Sequence, residues 1–177
     1  MEDSISNLLF TEDLVRCVLT ERGIAWHSEM GIHHLRSEIQ KSPFKSEVAK
    51  AVLEIWEKCF TDVWNCYLDL KEMSALKRNQ FGYYAMKSAY LYFENGYSHG
   101  SFLGYCTMLI GVGYYSTHSE WSTAQQVNTN SKGVLECVCE ILALVLTAVQ
   151  LIGEFDRHGG WDGLLEVSKT FLENVEE

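Results

Sequence analysis

Residues 95–101 read NGYSHGS, and two incompatible folds can be built on them. Gly96, Ser98 and Gly100 match the Gly-x-Ser-x-Gly nucleophile elbow, in which a serine sits on a strained turn between a strand and a helix. The same letters also spell a helix end, a turn and a helix start. In that reading Gly96 is the residue after a helix that takes positive φ, and Ser98 caps the next helix. The flanks decide. YLYF, residues 90–93, passes for a buried strand by itself, but the aromatic-rich stretch from Gln80 to Phe93 runs without a turn signal and is too long for one. Downstream, Gly100 to Tyr115 is apolar on all sides, the pattern of a helix at the centre of a fold, and Gly104, Gly111 and Gly113 let neighbours approach its backbone. Alternating strand patterns are missing, so the elbow has no sheet to stand on. His118, His158, Asp156 and Asp162 are nominal triad partners for Ser98, but a motif outside its structural context carries little weight. An all-α chain is expected.

Outward from this stretch, Thr11 followed by Glu12 and Asp13 reads as an N-cap with acids in the first turn; Leu14, Val15, Val18 and Leu19 share a face, and Gly23 is the stop. Residues 27–41 are polar and read as a loop. Ser42-Pro43 suggests the next helix start, after which Val48, Val52, Ile55, Cys59, Val63 and Tyr67 recur at steps of three and four along a long or broken helix. Trp56, Phe60 and Trp64 add a second apolar stripe, leaving a narrow wetted face. Lys77-Arg78-Asn79 is a polar break. Beyond the central helix come a polar loop, about 116–131, and a helix from Lys132 to Asp156 with Glu136 and Glu140 on its outer part. His158-Gly159-Gly160 ends it, Trp161 and Asp162 start a short helix, and a last helix covers Lys169 to Val175.

The chain has 177 residues, no internal repeat and no dividing linker, so residues 1–177 read as a single domain. A net charge of −10 without any block of Lys or Arg argues against nucleic acid and against anionic membrane surface as partners. Cys17, Cys59, Cys66, Cys106, Cys137 and Cys139 lie in apolar stretches, without disulfide-framework or zinc-site spacing, and read as buried free thiols in a reducing compartment. No cofactor and no metal are assigned: His33 and His34 are merely adjacent, Glu154 and His158 suit a surface ion pair, and Cys137-x-Cys139 points its thiols to different sides of a helix. The acidic N-terminus lacks a secretory signal, and the C-terminal TFLENVEE carries no anchor. The apolar runs Phe102 to Tyr115 and Ile141 to Ile152 fall short of the roughly 20 residues needed to cross a bilayer.

Three segments together resemble the Bcl-2 family. FENGYSHGSFLGY, residues 93–105, is similar to its first homology region, HGGWDGLLEV, residues 158–167, to its second, and LVRCVLTERGIAW, residues 14–26, to its fourth, in the family's order and at family-like spacing. The resemblance implies a Bcl-2-like helical bundle around a central apolar hairpin, with a surface hydrophobic groove. Where the family carries Trp-Gly-Arg, this chain has His99-Gly100-Ser101, so the arginine that pairs with the aspartate of a partner's Bcl-2-homology-3 (BH3) helix is absent. AVLEIWEKCF, residues 51–60, keeps apolar spacing but lacks the Gly-Asp signature of a killer ligand. A trimmed chain with eroded motifs looks more like large-DNA-virus homologues than like a cellular guardian.

The implied function is inhibition of apoptosis by sequestering pro-apoptotic BH3 helices, in the host cytoplasm or peripherally at mitochondria, with a narrow ligand range because of Ser101. The alternative is a pro-apoptotic, membrane-permeabilising member. Self-association through the groove is a further expectation. On this reading Phe60, Trp64 and Tyr67 form one wall and Ser88, Leu91 and Tyr92 the other, while Asn95, Ser98, Gly100, Ser101 and Leu103 line the centre. No catalytic residue is assigned.

Overall fold

The structure is a computed structural model that describes residues 2–29, 41–121 and 129–174, with side chains described for 4–29, 41–117 and 133–174. The described residues form eight helices and no strand: α1 (Glu2–Glu21), α2 (Ser46–Lys58), α3 (Phe60–Glu72), α4 (Arg78–Tyr92), α5 (His99–Trp121), α6 (Thr129–Leu151), α7 (Glu154–Arg157) and α8 (Gly160–Glu173). The bundle is all-helical around an apolar centre. Phe102, Leu103, Tyr105, Cys106, Ile110 and Val112 of α5 are all buried, because a helix apolar on every side is stable only when surrounded. The other helices supply that surround. α1 and α4 pack on α6, α2 and α3 pack on α5, and α8 lies against α2. Gly111 lets α3 sit on the α5 backbone: a β-carbon there would overlap the Val63 side chain and lie 3.4 Å from the Trp56 ring.

Several boundaries differ from the sequence expectations. Thr11 is not an N-cap but a buried residue in the middle of α1, its hydroxyl shared between the carbonyls of Leu8 at 3.1 Å and Cys139 at 3.2 Å. The helix extends back because Leu9 and Phe10, both fully buried, belong to the same apolar face. At α2 the cap position is Lys45 rather than Ser42-Pro43; the Ser42 hydroxyl instead accepts the Phe44 N–H at 3.3 Å in a turn. Of the two forms expected for the next stretch, long or broken, the broken one is found, divided at Cys59 into α2 and α3. Its wetted face is broad, since Thr61, Asp62, Trp64, Asn65, Leu68 and Asp69 are exposed. α5 continues to Trp121 and α6 begins at Thr129, so both helices extend into the stretch expected as a loop, of which 122–128 lie outside the described residues.

Glu136 is buried on α6 rather than on its outer part, accepting the Ser28 hydroxyl at 2.8 Å and the Glu29 N–H at 2.7 Å. α6 stops at Leu151 because Gly153 turns the chain at φ +75°, a conformation that favours glycine. α8 is one continuous helix where two short ones were expected. His33 and His34 lie outside the described residues.

Candidate groove across the central helix

The turn that opens the groove is assembled by local chemistry. α4 ends at Tyr92, and Gly96 takes φ +96° while its N–H donates to the Phe93 carbonyl at 3.0 Å. The Ser98 hydroxyl then caps α5, accepting the Ser101 N–H at 3.0 Å and donating to Ser101 Oγ, also at 3.0 Å. Ser98 is therefore a helix cap, its proton directed to Ser101, and no histidine or carboxylate is among its hydrogen-bond partners. His158 instead lies 3.8 Å from Glu154, and Arg157 pairs with the same carboxylate. The side chain of His118 falls outside the described residues.

α3 and α4 both rest on α5 but make at most slight contact with each other, so the span of α5 between them is the candidate groove. An α-helix turns about 100° per residue, so the flanks of α3 look to opposite ends of α5. Phe60 and Trp64 point to one end, where their rings lie edge-on to Tyr115 at 6.2 and 4.8 Å. Asp62 and Cys66 occupy the other flank, with Cys59 at the cap before them; burial first, then these three groups, push the Tyr92 phenol up to about 12. The Tyr92 ring covers Gly104, where a β-carbon would come within 3.4 Å of it. Half-buried Cys59 and Cys66 have thiols raised by burial, reinforced by Asp62 and Asp69 respectively.

The residues expected to line one groove thus divide. Ser88 and Tyr92, both half-buried, and the exposed Leu91 lie on α4, with exposed Asn95 in the turn that follows and Ser98, Gly100 and Ser101 at the start of α5. The Ser88 hydroxyl donates to the Ala85 carbonyl at 2.8 Å. Phe60 and Trp64 are 47% and 38% exposed but gather at Tyr115, away from Tyr92. Tyr67 and Leu103 are core residues, each 1% exposed. Cys59 and Cys66 were missed as cleft residues; their spacing of one heptad places both on a single helix flank.

At the end of the α5–α6 pair where α5 begins, Gly159 at φ +89° and Gly160 at φ +60° turn the chain into α8, and Trp161 packs on Phe10 at 4.6 Å and Phe155 at 4.9 Å. A recess of about 370 Å³ lies beside it, lined by Gln150, Leu151, Asp156 and Trp161 among others. Two of its lining residues are held by buried Asn7, which donates to Thr147 at 3.0 Å and to Gln150 at 2.7 Å. No family model, curated protein or solved structure matches this chain.

Proposed function

We propose that this chain is a Bcl-2-like inhibitor of apoptosis, of the viral type, that sequesters BH3 helices in the cleft between α3 and α4. The observation that carries the reading is that two helices rest on an apolar central helix with at most slight contact between them, while Ser101, Gly104 and Met108 of that helix are only half-buried. An amphipathic helix binds such a strip through alternating apolar anchors. The order of the sequence motifs supports it further: the first-region motif caps α5 at Ser98, and Gly-Gly-Trp-Asp turns α7 into α8. Ser101 offers a hydroxyl where the family has an arginine, so the partner's aspartate is hydrogen-bonded but not neutralised. Truncating one partner of a buried charge pair costs about 2–5 kcal/mol, enough to remove the weaker ligands.

Titration of a panel of BH3 peptides tests the proposal, with tight binding expected for a few and none for the rest, and a wider range expected for Ser101→Arg. Uniform tight binding contradicts the narrow range; no binding at all removes the function. A pro-apoptotic, permeabilising role has one observation in its favour: Gly133–Leu151 is apolar enough to cross a membrane, with mean hydropathy 2.1, although 67% of it is buried. Leakage from liposomes by the protein alone would favour that role.

A further inference from the structure

We propose that His99 is an acid-sensitive latch that fastens the α7–α8 corner to the start of α5 and releases it on protonation. His99 is the first residue of α5 and only 3% exposed. Its ring bridges two partners: Nε2 lies 2.9 Å from the carbonyl oxygen of His158, and Nδ1 lies 2.9 Å from the Tyr97 hydroxyl. A carbonyl only accepts, so Nε2 carries the proton and Nδ1 accepts the Tyr97 O–H. The neutral ring is fully satisfied. The first turn of α8 is pressed against it, since a β-carbon at Gly163 would lie 3.0 Å from Nε2 and overlap the His158 carbonyl. The Phe155 ring closes another side, edge-on at 5.3 Å.

A second proton reverses this arrangement. It enters at Nδ1 and turns that atom into a donor, so the Tyr97 hydroxyl must rotate to accept. The Tyr97 proton then has no other hydrogen-bond partner among the described residues, on a side chain 6% exposed. The groups that face the ring offer no counter-charge: Tyr97 comes from the turn before α5, Phe155 and His158 from α7 and its end, and Gly163 from α8. The His158 ring lies 6.0 Å away, and charge on it works against a charge on His99. The positive end of the α5 dipole opposes a cation at the same place.

The sign follows from these contacts. Burial, aided by His158, holds His99 below the ordinary imidazole range in the closed form, against the opposing pull of the His158 carbonyl. Once the corner lifts away, the ring regains water and its ordinary value of about 6.5. The closed form is thus fully favoured above that value and loses stability as pH falls toward the depressed one, opening by about tenfold per pH unit for one proton. The latch is independent of the groove reading and needs no peptide.

Amide exchange at Gly159 and Gly163, whose N–H groups donate to Asp156 and Gly159 at 2.9 Å each, reports the corner directly. It should be followed, corrected for intrinsic exchange, from about pH 8 to about pH 5, where imidazoles titrate, alongside an NMR titration of the His99 ring. Protection in the unaltered protein should fall with acid. His99→Gln keeps an N–H for the His158 carbonyl but cannot be protonated there, so its protection should stay flat. His158→Gln keeps the carbonyl and removes the repelling charge, so its acid response should weaken. Protection that is flat in the unaltered protein, an acid response in His99→Gln equal to that of the parent, or a His99 ring that titrates at its ordinary value in the closed form would each overturn the latch. Should His99→Gln fail to fold, the titration and exchange of the unaltered protein still decide.

Discussion

A single β-carbon separates the roles of Gly163 and Gly100. At Gly163 it would overlap the backbone carbonyl of His158, an atom that cannot swing aside as a side chain can. Gly163→Ala is expected to destabilise the fold by about 1–3 kcal/mol in denaturant unfolding, the usual cost of overpacking. At Gly100 the nearest atom is Ser98 Oγ at 3.9 Å, and the position is exposed in a helical turn. There alanine should be neutral or stabilising by up to about 1 kcal/mol. On the groove reading, Gly100→Ala should nevertheless weaken peptide binding, because the added methyl stands where a ligand backbone approaches; unchanged affinity with unchanged stability would take Gly100 out of the site. Ser98 was legible in the sequence because capping is local chemistry. Gly163 was not, because its neighbour His158 meets it only through the α7–α8 turn and the histidine ring pressing on both comes from α5.

At the scale of the element, α1 shows where local signals mislead. Thr11, Glu12 and Asp13 have the composition of a helix start, yet they are buried in the helix middle, where the Thr11 hydroxyl reaches the Cys139 carbonyl of α6 and Asp13 pairs with Arg16. A chain beginning at Thr11 would lose Leu9 and Phe10, each worth about 1.5–3 kcal/mol of burial. Set against a typical total of about 5–15 kcal/mol, that loss should lower the melting temperature sharply or abolish the cooperative transition in circular dichroism. Melting identical to the full chain would mean that the first half of α1 contributes nothing. The position of the α2–α3 break and the early end of α6 were equally hidden. Cys59 carries no helix-breaking signature, and Gly153 is a single glycine with no turn residue beside it, followed by Glu154-Phe155-Asp156-Arg157.

For the whole molecule, the all-helical bundle was readable from one segment, because a helix apolar on every side must be enclosed. The layout of the cleft was not. Which flank of α3 faces α4 depends on how α3 crosses α5 at Gly111, and no periodicity records a crossing, so Phe60 and Trp64 looked equivalent to the residues that face Tyr92. That geometry sorts the six sulfurs by depth: Cys17, Cys59 and Cys66 are half-buried, whereas Cys106, Cys137 and Cys139 are buried. Burial raises every thiol, that of Cys137 to about 11, so all should alkylate slowly at neutral pH and faster as pH rises. A pulse of a small alkylating reagent read by mass spectrometry should mark the outer three in the native protein and Cys106 and Cys139 only after global unfolding; early marking of those two would contradict the core. The chain therefore carries a built-in depth gauge. On the groove reading, shielding of Cys59 and Cys66 with Cys17 as the internal standard registers occupancy of the cleft, and the inner sulfurs register collapse of the bundle, without altering one residue.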